Sequence, residues 1–228
     1  MNTTSNKTRI LGFAFIFQFM TSFSAGVFLK PAWFVPDDFG ATLLKIAANP
    51  GLLRAQIFLD MLTALGVIFL GALLFVGLKK RNEKIALTAF GFYIVEAALL
   101  AASRMNGFSL LSFGQAYANG QSADLLFLAQ VVYDSMEFVG GTLHMLAFCI
   151  GALLFYALLA QSRLVPRWLS LWGLITALPL LAGTIAQIFG YGIPIAFYVP
   201  YIPFELLIGI WIIIKGIPDA LPLASKDA

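Results

Sequence analysis

The sequence predicts an all-α, polytopic membrane protein of six transmembrane helices, and three observations predict it. Hydrophobic residues make up 61% of the 228, charged residues only 11%, and mean hydropathy is +0.91. A helix crossing ~30 Å of hydrocarbon needs about 20 mainly apolar residues. Six stretches reach that length, at about 10–29, 59–78, 85–104, 141–160, 168–188 and 197–215. Lys and Arg, finally, fall in short clusters between the apolar runs rather than in one basic face. The formal charge of +3 therefore reads as a set of topology signals facing anionic lipid. The lipid bilayer is the expected partner and nucleic acid is not.

The elements follow in order. Lys7 and Arg9 precede the first span, whose apolar run is long for a signal peptide; the small residues Ser22, Ser24 and Ala25 form only a weak cleavage pattern, so the span is expected to be retained. Beyond it come PAWFVPDD and a short amphipathic stretch, GATLLKIAAN. Trp33 there, and Trp168 with Trp172 at the start of the fifth span, are placed in an interfacial aromatic belt. The second and third spans flank the basic turn Lys79, Lys80, Arg81, Lys84. The connection 106–140 is long enough for an extra outer helix at about 122–138, lying in the interface or extending the fourth span. Arg163 and Arg167 mark the turn into the fifth span, Pro179 a kink within it, and Pro194, Pro200 and Pro203 a broken entry to the sixth. Gly66, Gly71, Gly140 and Gly141 are expected to permit close helix packing.

One alternation of sides gathers ten basic residues, from Lys7 and Arg9 through the turns at 79–84 and 163–167 to Lys215 and Lys226, and leaves four, Lys30, Lys45, Arg54 and Arg104, opposite. The positive-inside rule then puts both termini in the cytoplasm. The chain 1–228 is expected to form a single transmembrane domain, its short basic inner loops leaving no room for a cytoplasmic catalytic domain. Cys149, alone and inside an apolar segment, forms no internal disulfide and fills a helix contact.

Depth separates the unusual polar residues from the ordinary ones. Glu96 lies twelve residues beyond Lys84, about 18 Å at a rise of ~1.5 Å per residue, and Glu205 lies ten residues from Lys215, about 15 Å. Both are intramembrane carboxyls. Gln18 is also near the midplane, whereas Asp60, His144 and Gln187 come out near the outer boundary, and Arg54, Arg104, Asp134 and Glu137 at or beyond it. Asp134, Glu137, Gly141, His144 and Phe148 share one helical stripe running inward. A charge facing lipid at mid-depth costs at least ~2.5 kcal/mol, so Glu96 and Glu205 are expected to face the bundle interior. A polar cavity open to the outside is the expected arrangement, with these glutamates at its floor, His144 and Asp60 on its walls, and Glu137, Arg104 and Arg54 near its mouth. Asp60, Glu96, Asp134, Glu137 and Glu205 against Arg54 and Arg104 give it a formal balance of −3, which protonation or a bound cation must offset.

Phosphate-binding, zinc-protease, serine-hydrolase and dinucleotide motifs are absent. With one His, a three-histidine zinc site within the chain is excluded; a mixed His and carboxylate site is chemically open. Glu137 and His144 lie about 10 Å apart along their axis, which argues against a shared ion. No cofactor is expected.

The segments NPGLLRAQIFLDML, AFGFYIVEAAL and SRLVPRWLSLWGLITAL resemble the bacterial multi-pass family catalogued as domain of unknown function 4386, over nearly the whole chain. The matching positions are Asn49, Arg54, Asp60, Glu96, Ser162, Pro166 and Arg167. The resemblance implies a prokaryotic integral membrane protein and brings no activity with it. From the residues, the leading expectation is a cavity binding a small cation or an amphipathic ligand, transporter- or sensor-like. The alternatives are an intramembrane lipid or amide hydrolase using Glu137 or Glu96 with His144, and a structural or accessory membrane subunit. The sequence does not decide whether the protein is an enzyme, nor its oligomeric state.

Overall fold

The computed structural model describes residues 3–120 and 122–217. Lys226 and the side chain of Lys7, both counted toward the cytoplasmic face, lie outside the described residues and side chains. Among the described residues the chain is helical, without strands. Its α-helices are α1 (Thr3–Phe23), α2 (Lys30–Trp33), α3 (Phe39–Ala48), α4 (Pro50–Leu78), α5 (Glu83–Gly120), α6 (Ala123–Glu137), α7 (His144–Ser162), α8 (Arg167–Ile188) and α9 (Ile202–Lys215). Two π-helical segments join neighbours without a break: Ser24–Leu29 links α1 to α2, and Phe138–Leu143 links α6 to α7.

Five helical runs are long and apolar enough to cross a membrane: Arg9–Trp33, Pro50–Leu78, Glu83–Gly120, Ala123–Ser162 and Arg167–Ile188. Local chemistry sets several of their ends. Pro50 opens α4 at a position that needs no N–H. Asp38 caps α3 by accepting from the Ala41 N–H at 2.8 Å. Gly216, at φ 71°, closes α9 in a conformation costly for other residues. Where the sequence puts a sixth span at about 197–215, α9 has 14 residues, about 21 Å of helix against ~30 Å of hydrocarbon. The chain before it, from residue 189 to 201, is irregular apart from one 3₁₀ turn, Ile195–Phe197. This segment returns alongside α8, where the Trp172 indole N–H donates to the Pro200 carbonyl at 3.1 Å.

The helices pack in the order α9, α1, α4, α5, α7, α8, with only slight contact between α8 and α9 to close the ring. Glycines allow the close crossings. A β-carbon on Gly12 would stand 2.6 Å from the Gly209 carbonyl, and one on Gly151 2.7 Å from the Tyr93 ring. Gly66 lies against Phe17 and Gln18, Gly71 against Phe90 and Tyr93, and Gly140 against Ser103 and Arg104. Gly141 departs from the expectation of a packing glycine: nothing lies within 4 Å of where its side chain would be.

The end opposite the basic turns carries a helical cap. The third span is expected to end near 104, but α5 continues to Gly120. The stretch SFGQAYANG is therefore helix rather than loop, held because Leu110, Leu111 and Gly114 pack on α3 and α6. Trp33 corrects a second expectation. Instead of sitting in the interfacial belt it is fully buried in this cap, its indole N–H donating to Gln56 Oε1 at 2.6 Å. A buried indole needs such an acceptor. Trp168, by contrast, is 59% exposed, and Cys149 is buried and unpaired.

Candidate functional site

A cavity of about 320 Å³ lies between the bundle and its cap. Each wall is one stripe of a helix. Gln18, Ser22, Gly26 and Lys30 recur every fourth residue from α1 through its π segment. Gln56, Asp60 and Thr63 come from α4, and Glu96, Leu100 and Arg104 from α5. Glu137, Gly140, Gly141, His144, Met145 and Phe148 descend from α6 through its π segment into α7. Leu180 of α8 and Tyr198, Tyr201 and Glu205 complete the enclosure.

Six of the seven site residues expected from the sequence thus line one space: Glu96, Glu205, Asp60, His144, Glu137 and Arg104. Arg54 does not. It is exposed, with its guanidinium 5.7 Å from the centre of the Phe108 ring. Six residues before Asp60 on α4, it projects about 120° away around a helix of ~3.6 residues per turn. Asp134 is likewise exposed and not among the lining residues. Lys30 supplies the cation that sequence reasoning left out. It forms a salt bridge with Glu137 and lies 5.7 Å and 5.8 Å from the ring centres of Phe34 and Tyr133. With Asp60, Glu96, Glu137 and Glu205 facing Lys30 and Arg104, the formal balance of the lining is −2, not the −3 that Arg54 and Asp134 entered into.

The four acids are not equivalent. Asp60 Oδ2 stands 3.2 Å from Arg104 Nε, both side chains buried, and Glu137 is paired with Lys30. Glu205 is held by neutral groups: its Oε1 accepts from Gln18 Nε2 at 2.8 Å and from the Tyr201 hydroxyl at 3.1 Å. The Tyr201 hydrogen is used in that bond, so the 2.5 Å contact between the Tyr156 and Tyr201 hydroxyls has Tyr156 as donor. Glu96 is 5% exposed and its Oε2 meets no donor. Among the described residues neither Glu96 nor Glu205 has a salt-bridge partner.

Unmet hydrogen-bonding capacity concentrates here. Eight buried side-chain atoms lack a partner among the described residues, and five belong to this lining: Asp60 Oδ2, Glu96 Oε2, Arg104 Nε and Nη1, and His144 Nδ1. Asp60 and Arg104 are close enough to attract as charges, but the Nε–H is not aimed at the oxygen, so both keep a free valence. Buried polar atoms are ordinarily paired, and each exception calls for a reason. No group of three or more His, Cys, Asp or Glu side chains among the described residues is placed to hold a metal ion. Ser22 stands on the wall itself; Ser103, which does not line the cavity, donates to the Leu100 carbonyl at 2.7 Å, and Ser109 to the Met105 carbonyl at 3.2 Å.

Neither the curated proteins nor the solved structures include a match to this chain. One family model does match, over residues 10–216, and with its several membrane-length apolar helices the chain is an integral membrane protein belonging to the family described as domain of unknown function (DUF4386).

Proposed function

We propose that the cavity is an outward-facing acidic site, reached from outside the cytoplasm of a bacterial plasma membrane, that binds a small cation or an amphipathic ligand in a transporter or ligand sensor. In this reading α9 with its irregular lead-in forms the sixth span. Both termini are cytoplasmic, because the basic turns at 79–84 and 163–167 and Lys215 then share the positive side.

One observation carries the reading. Of the four carboxyls lining the cavity two are neutralised by Lys30 and Arg104, while Glu96 and Glu205, at its floor, meet no cation of the protein among the described residues. Ionisable groups at that depth are expensive unless a proton, a counter-charge or a ligand satisfies them. The broken approach to α9 adds support. Non-helical backbone at membrane depth is tolerated where it lines a cavity, and interrupted helices mark the binding sites of many transporters. The hydrolase reading draws less support in the form that uses Glu137, since that carboxyl is occupied by Lys30.

The test is binding and flux of protons and monovalent cations in proteoliposomes, comparing the wild-type protein with Glu96→Gln and Glu205→Gln. Loss of cation binding, with or without loss of flux, in both folded variants is expected. Binding and flux unchanged in both would overturn the reading.

A further inference from the structure

The ring of helices is closed unevenly. At the basic end α9 fills the space beside α1, with Gly12 against Gly209. Toward the cap α9 has ended, and among the described residues α1 and its π segment make no backbone approach to α6, α7 or α8. At its far edge the gap is bridged by side chains alone, Lys30 to Glu137 and Trp33 and Phe34 to the Tyr133 ring. Its flanks are Ser22 and Gly26 on one side and Gly141 on the other, all three lining the cavity and all three exposed. No atom lies within 4 Å of where side chains on Gly26 or Gly141 would begin. Depth gives the gap its meaning. Ser22 is thirteen residues from Arg9, about 20 Å along the helix, so in ~30 Å of hydrocarbon the opening reaches about 10 Å below the far surface. The opening therefore faces acyl chains as well as water.

We infer that this slot is a lateral doorway from the bilayer, and that the cavity takes a single-chain amphiphile with an ammonium headgroup. The inference rests on the acidic-cavity reading and adds the class of ligand and its route. The headgroup sits at Glu96 and Glu205, beside the rings of Phe148 and Tyr201, whose faces favour organic cations. The chain leaves between Gly26 and Gly141. A volume of about 320 Å³ is in the range of sites for small organic ligands and far larger than a dehydrated metal ion requires. The lack of a three-ligand metal cluster among the described residues agrees. The wall is amphipathic in the same sense, with Leu100, Met145 and Leu180 set between the polar tiers.

The experiment uses the full chain in phosphatidylcholine nanodiscs, with empty nanodiscs subtracted, and three probes: decyltrimethylammonium, tetramethylammonium and decyl sulfate. Decyltrimethylammonium is expected to show a saturable site, weakened at least tenfold by Glu96→Gln with Glu205→Gln and at least tenfold by Gly26→Phe or Gly141→Phe. A Cβ at either glycine position meets nothing within 4 Å, and Ser22→Trp is a third block should either variant fail to fold. Tetramethylammonium is expected to bind more weakly and to ignore the slot variants, and decyl sulfate to show no saturable site. If the slot variants leave decyltrimethylammonium binding unchanged while the glutamate variants abolish it for both cations, the doorway is wrong and the acidic cavity stands. If neither cation responds to the glutamate variants, both fall. Saturable binding of decyl sulfate equal to that of the cation overturns the headgroup assignment.

Discussion

Asp60 and Glu96 are buried alike, 6% and 5% exposed, on adjacent helices and against the same cavity. Asp60 faces Arg104 at 3.2 Å; Glu96 has no salt-bridge partner among the described residues and leaves Oε2 without a donor. Burial alone therefore does not separate a paired acid from an unpaired one. What separates them is whether the protein supplies the counter-charge, which among the described residues it does for Asp60 and Glu137 but not for Glu96 or Glu205.

Removing one side of the wall pair should have the largest effect. Arg104→Met leaves Asp60 buried and uncompensated, a defect that costs about 3–5 kcal/mol where it has been isolated, and the thermal unfolding temperature in detergent should fall sharply. The double variant Asp60→Leu, Arg104→Met should recover most of that loss. Single and double variants melting alike would show that the pair is not coupled. Next come two glycines on the α6–α7 run. Gly151→Leu drives a side chain into the Tyr93 ring and should cost about 1–3 kcal/mol by overpacking. Gly141→Leu meets open space and should stay within about 0.5 kcal/mol. Equal losses would mean that the slot is as tightly packed as the core.

Lys30→Met should cost about 0–1 kcal/mol, because the side chains of Lys30 and Glu137 are 28% and 35% exposed and such pairs gain little in the presence of water. Glu96→Gln should have the smallest effect on stability, leaving the melting temperature unchanged or slightly raised, since it removes an acid that no protein group neutralises. A melting temperature lowered as far as by Arg104→Met would place Glu96 with the structural acids.

That Glu96 and Glu205 share one space was legible in the sequence, and the pairing of Lys30 with Glu137 was not. Counting residues inward from Lys84 and Lys215 puts Glu96 and Glu205 at mid-depth, since a helix converts sequence distance directly into depth. The stripe from Glu137 through Gly141 to His144 survives as a wall of the cavity for the same reason, although a π segment interrupts it. Pairing across the bundle has no such ruler. Lys30 and Glu137 are 107 residues apart in the chain, and nothing local to either announces the other. Arg54 was detectable as an outsider, because a six-residue step on α4 turns it away from Asp60. Trp33 was misplaced because an indole at a span's end reads as an interfacial anchor, and only the fold of α3, α5 and α6 over it reveals that it is core. The length of α9 was hidden because residues 189–201 are as apolar as a helix, while the prolines that interrupt them do not say where regular structure resumes.

The most direct measurement is the affinity of the purified protein for tetramethylammonium by isothermal titration, in the wild type and in the Glu96→Gln, Glu205→Gln double variant, with melting temperatures confirming that both are folded. A floor that relies on an external cation predicts binding in the wild type weakened at least tenfold in the variant. Equal affinity in the two proteins would contradict it.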